Sequence, residues 1–168
     1  MKQDELQQTL TAFAADRVAI LERHEAGARI VSQYDFNNAY QYIISREETH
    51  LQWLQTALAE FTAPLPPSSS TLVVPGLPRS RKAPVAGAFR AILADDAAAL
   101  GAFVERWKGR VDAMTHARHR LMLNVILGES REHQQLFEQA AAGVEDLLGK
   151  RTGGVARQGN VLPVRWME

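Results

Sequence analysis

Proline placement constrains this chain more than any other feature. Six of its seven prolines fall between Pro64 and Pro84, in APLPPSSSTLVVPGLPRSRKAP, and the seventh is Pro163. Long tracts on both sides of this stretch therefore lack the residue that most strongly breaks a helix, and both repeat apolar residues with helical period. Asp4 with Gln7 reads as a capping box opening a first helix to about Ile30. After the turn Ser32 to Asp35, a second helix is expected from Phe36 to about Phe61. A third runs from about Val85 to Lys108, with Gly109 as its left-handed stop. Asp112 or Thr115 caps a fourth that ends near Gly149.

The expected architecture is all-α, two helical hairpins joined by a crossover over 63–84, forming one bundle over 1–149 with a non-helical tail, 150–168, packed on it through Val161, Leu162 and Trp166. A linker of roughly 22 residues reaches up to ~70 Å. A 26-residue helix is only ~39 Å long, so the linker can traverse the bundle and set helices two and three parallel.

Composition narrows the function. Lys and Arg total 19, Asp and Glu total 19, and there is no cysteine. Phosphate backbones call for a basic surplus that is missing here, so nucleic acid is not an expected partner. Disulfides, zinc–thiolate sites and cysteine nucleophiles are ruled out. No apolar run approaches ~18 residues, so no membrane span is expected. The polar start MKQDELQQTL lacks the pattern of a signal peptide, and a cytoplasmic location is the expectation.

The chemistry-bearing signal lies within the apolar stripes. On the second helix Phe36, Tyr40, Ile43, Leu54, Ala57 and Phe61 follow steps of three and four, and Glu47 and His50 fill the gap. A buried carboxylate needs a compensating partner, and two side chains three residues apart share a face and can reach one ion. The fourth helix has the same interruption: Met122, Ile126, Leu136, Ala140 and Leu147 form the stripe, Glu129 and His133 fill its gap, and Glu132 borders the face. Asp16 lies with Phe13 and Ile20 on the first helix, level with Glu47 and His50, and Asp96 lies with Leu93, Leu100, Phe103 and Trp107 on the third. His24 reads as a solvated residue, and His116 and His119 as parts of a polar helix end. Tyr40 and Tyr42 read as packing residues, and Gly128 as a tolerated glycine or the seat of a π-bulge.

A Glu-x-x-His pair on helix two, a second Glu/His set on helix four and acidic residues on helices one and three resemble the ferritin-like superfamily, in its rubrerythrin-type di-iron carboxylate form. Glu47-Glu48-Thr49-His50 is the most specific part. The resemblance implies an up-down-down-up bundle in which Glu47 and Glu129 bridge or chelate two irons (or manganese). His50 and His133 each ligate one ion, and Asp16 and Asp96 supply terminal carboxylates where the family has Glu. Oxidase, peroxidase or iron-handling activity would follow, and a homodimer is the implied assembly. The spacing of four in Glu129…His133 is similar instead to the DinB-like (YfiT-type) bundles. These imply one zinc or nickel on His50, Glu129 and His133, with Glu47 orienting His50, in a metal-dependent transferase or hydrolase. A metal-free helical module acting through association is the third expectation.

Overall fold

The computed structural model describes residues 3–69, 86–144 and 147–148, with residue 86 described in its backbone only. Within them the chain forms α1 (Gln3–Ile30), α2 (Tyr34–Ala59), α3 (Ala86–Asp112) and α4 (Ala117–Ala141), and no strand. The remainder of the crossover and the expected packing of Val161, Leu162 and Trp166 lie outside the described residues.

Helices α1 to α3 bury the stripes their sequences announce, whereas α4 is turned by about one residue: Leu123, Ser130 and Phe137 are buried, and Met122, Glu129 and Leu136 of the expected stripe are only half-buried. Leu10, Phe13 and Ile20 of α1, Ile43 and Leu54 of α2, Leu93, Leu100 and Phe103 of α3, and Leu123, Ile126 and Phe137 of α4 are all fully enclosed. Burying a side chain of this kind is worth about 1.5–3 kcal/mol against leaving it in water, so the shared core dominates the driving force. Phe13 meets both Phe103 and Trp107 edge-to-face, at centroid distances of 5.0 and 5.1 Å, which locks α1 onto α3.

Helix α1 packs on α2 and α3, and α4 packs on α3 and α2. Contacts run in opposite order along each pair. Asp16 meets Trp107 whereas Arg23 meets Asp96; Tyr42 meets His133, Arg46 meets Glu129 and Glu60 meets Arg118.

The helix ends have local causes. Asn37 Nδ2 donates to the carbonyls of Ala28 and Val31, at 2.8 and 3.0 Å, satisfying acceptors at the end of α1. Gly143, at φ +92°, closes α4 in a Schellman arrangement, with Gly143 N donating to Ala140 O and Val144 N to Gln139 O. The stop is thus Gly143, not Gly149, and Leu147 falls beyond the helix. The start of α4 departs from expectation too: His116 is its N-cap, and its side chain makes no cap bond. Gly109 does not end α3 either. Its helix cost of ~1 kcal/mol is offset by one further turn that buries Val111. Asp4 lies within the first turn of α1 rather than ahead of it. Gly128 sits in unbroken α-helix with open space beside it, so there is no π-bulge there.

Candidate polar centre of the bundle

One step along α1 decides the composition of the centre. Adjacent helical residues differ by about 100° in direction, so Asp16 and Arg17 are both buried yet face different neighbours. Asp16 turns to α3, where Trp107 Nε1 donates to its Oδ2 at 2.8 Å and Arg106 Nε lies 3.1 Å from the same oxygen. Arg17, not Asp16, enters the space between α2 and α4. Its Nη2 lies 3.2 Å from Glu47 Oε1 and 3.3 Å from His50 Nδ1, and its Nη1 donates to Ser130 Oγ at 3.2 Å. The guanidinium also stands 5.2 Å from the Phe103 ring centroid.

Around this arginine the acid and imidazole groups of α2 and α4 connect. His24, expected in solvent, is fully buried, and its Nδ1–H donates to both Glu47 oxygens at 2.9 and 3.0 Å. His50 Nε2 reaches Glu129 Oε2 at 2.9 Å. Arg46 grips the same carboxylate through Nε at 3.0 Å and Nη2 at 2.7 Å, a two-pronged pair at the rim. The result is an unbroken chain, Arg46–Glu129–His50–Arg17–Glu47–His24. The rings of His50 and His133 stack at 6.3 Å. His133 Nδ1 and His24 Nε2 are buried without a hydrogen-bond partner among the described residues.

Charge follows from this geometry. Burial alone would raise the Glu47 carboxyl, but His24 and Arg17 outweigh it and hold it below the usual carboxylate range. Arg46 and then His50 lower Glu129 against its partial burial. Burial, reinforced by the Arg17 charge, lowers His50 to about 4. Burial lowers His133 to about 4 as well, with Glu47 opposing and Arg17, His50 and His24 assisting. Both imidazoles are therefore neutral at pH 7. The two guanidiniums of Arg17 and Arg46 match the two carboxylates one for one.

Asp96 belongs to a separate cluster nearer the other end. Tyr40 OH donates to its Oδ2, and Arg23 Nε lies 2.9 Å from its Oδ1 without hydrogen-bond alignment. Burial raises Asp96 despite these partners, and burial also raises Tyr40. Tyr40 is thus more than packing. Glu132 is exposed on the outer side of α4.

The expected ligand set is therefore split. Glu47, His50, Glu129 and His133 share the centre, whereas Asp16, Asp96 and Glu132 lie elsewhere, and among the described residues no three His, Asp or Glu side chains are grouped to hold one ion. Each of Glu47, Glu129, Asp16 and Asp96 already has an arginine beside it. Two divalent ions would bring four positive charges into a centre whose carboxylates already face guanidiniums and would leave Arg17 buried among cations, a costly arrangement. These donors do not fit a di-iron or di-manganese centre. The one-ion set does not fit either, since Arg46 already holds both oxygens of Glu129 and Arg17 stands against His50, so an ion would enter between two guanidiniums. No protein-family model, curated protein or solved structure matches the chain.

Proposed function

We propose that this chain is a ferritin-like, up-down-down-up four-helix bundle in which an internal arginine stands in for the metal centre, and that it works as a helical association module rather than as an oxidoreductase. The observation that carries this reading is the fully buried Arg17, bound to Glu47 and Ser130 and touching His50. A buried charge network of this kind specifies helix register more than it adds stability.

Support for the topology comes from the contact order. Ascending α1 meets descending α3, and ascending α2 meets descending α4. Glu60, just after α2, lies beside Arg118 at the start of α4, while Asp96 in the first half of α3 lies beside Arg23 near the end of α1. The end of α2 and the start of α3 therefore lie toward opposite ends of the bundle, and Ser69 N, beyond α2, donates to Ala15 O in the middle of α1 at 3.0 Å.

Support for association comes from α4, where Leu121 and Val125, one turn apart, are 68% and 42% exposed. We infer that a second copy of the chain covers this face. Sedimentation equilibrium and elemental analysis of the purified chain test the reading together. It expects a dimer that Leu121→Glu converts to monomer, with no stoichiometric iron or manganese. A monomeric wild type, or two firmly held irons per chain, defeats it.

A further inference from the structure

At the opposite end of the α2–α4 interface from the Tyr42–His133 contact lies a second imidazole pair. His116 is the N-cap of α4 and His119 follows three residues later, so the helix places the two rings on one side. Their Nδ1 atoms face each other at 2.8 Å, with ring centroids 4.4 Å apart. Two imidazoles approach in this way when one lone pair accepts the other's N–H, and a metal ion exploits the same convergence by replacing that proton.

The two rings are unequal. His119 is buried, 1% exposed, beside Phe61, whereas His116 is exposed. Glu60 Oε2 stands 3.7 Å from His119 Nε2, the nitrogen remote from the pair. At that distance the carboxylate makes no hydrogen bond, and Nε2 has no hydrogen-bond partner among the described residues, but its charge favours the proton on Nε2 and leaves the Nδ1 lone pair toward His116. Glu60 also pairs with Arg118, so the neighbouring cation is already balanced.

We propose that His116 and His119 form a peripheral two-histidine site for a late divalent transition metal, with both Nδ1 atoms as ligands and water completing the sphere. Imidazole donors suit copper, nickel and zinc, and the affinity order places copper(II) first. Metal–nitrogen distances of about 2.0–2.1 Å require the pair to open by a few tenths of an ångström, which the exposed His116 permits. Binding shifts the proton held between the rings to Nε2 of the exposed His116, so that each ring ligates through Nδ1 as a neutral imidazole. The positive end of the α4 dipole opposes a cation by about 0.3–1 kcal/mol, too little to outweigh two coordinate bonds.

The test is copper(II) titration of the full chain, read by calorimetry and by electron paramagnetic resonance. One equivalent is expected, with hyperfine structure from two imidazole nitrogens. His116→Ala, at an exposed position, should weaken binding at least tenfold, and His119→Gln should do the same. Unchanged affinity in both histidine variants overturns the site. So does loss of the copper signal in His133→Gln with His116→Ala unaffected, which would move the metal to the centre of the bundle.

Discussion

Arg17 and Glu47 form an ion pair of 3.2 Å in which neither side chain is exposed to solvent. Such a pair adds little net stability, because taking two charges out of water costs about as much as their attraction returns. Breaking it is another matter. Arg17→Met should destabilise the chain by about 3–5 kcal/mol, since Glu47 would keep only His24 as a partner. Arg17→Met with Glu47→Gln should recover about 1–2 kcal/mol of that loss. Urea denaturation of the wild type, both single variants and the double variant checks the coupling; additive losses would contradict it.

Stability should fall as the solution is acidified from about pH 6.5 to 4. The rings of His50 and His133 sit at about 4 in the fold and near the ordinary histidine value when unfolded. Between those values the unfolded chain binds more protons, so acid favours unfolding. Each ring contributes up to about 3 kcal/mol at pH values above both. Glu47 and Glu129, both lowered, extend the loss below the usual carboxylate range as they take up protons. A denaturation series across pH 4–8 measures this, and a flat profile from 7 to 4 would be incompatible with neutral buried imidazoles.

Two glycines should respond with opposite sign. A Cβ on Gly27 would lie 2.9 Å from Tyr40 Oη, and that ring is held in place by Asp96. Gly27→Ala should therefore cost about 1–3 kcal/mol through overpacking. Gly128 has open space beside it within α4, so Gly128→Ala should stabilise by up to about 1 kcal/mol through helix propensity. Thermal melts of the two variants give the comparison directly.

Tyr40→Phe removes the hydroxyl that donates to Asp96, leaving a buried carboxylate with Arg23 alone, out of hydrogen-bond alignment. A loss of about 1–3 kcal/mol is expected. Adding Asp96→Asn should reduce the penalty, as an amide carries no charge to stabilise. Equal losses in the single and double variants would argue against a direct role for this bond.

The helices and part of the centre were readable because apolar periodicity is a strong signal and Glu47, His50 and His133 interrupt it at core positions, whereas on α4 the buried interruption beside His133 is Ser130, and Glu129 reaches the centre from its rim. Arg17 and His24 carry the same signature. Leu10, Phe13, Arg17, Ile20, His24 and Gly27 advance in steps of three and four along α1, with a guanidinium and an imidazole at core positions. Attention to carboxylates alone selects Asp16 and passes over its neighbour. Depth counted from the turns placed Asp16 at the right level, but depth does not fix direction around the helix, and about 100° separates α2 from α3 as its partner. Asp96 fails along the helix instead: its place in the apolar stripe of α3 was legible, but the structure puts it with Tyr40 and Arg23, away from Glu129. The end of α4 at Gly143 was legible only as one of several glycines, because a positive φ is a property of the folded backbone.

Iron loading tests the central claim most directly. Ferrous iron is added to the purified chain without oxygen, excess is removed, and air is admitted while the near-ultraviolet absorption is recorded. With Arg17 neutralising the centre, no oxo-bridged di-iron band should develop, and fewer than two irons per chain should remain. A stable pair of irons with that band, lost in Glu47→Ala, would show that the arginine yields to metal and that the bundle is a di-iron protein after all.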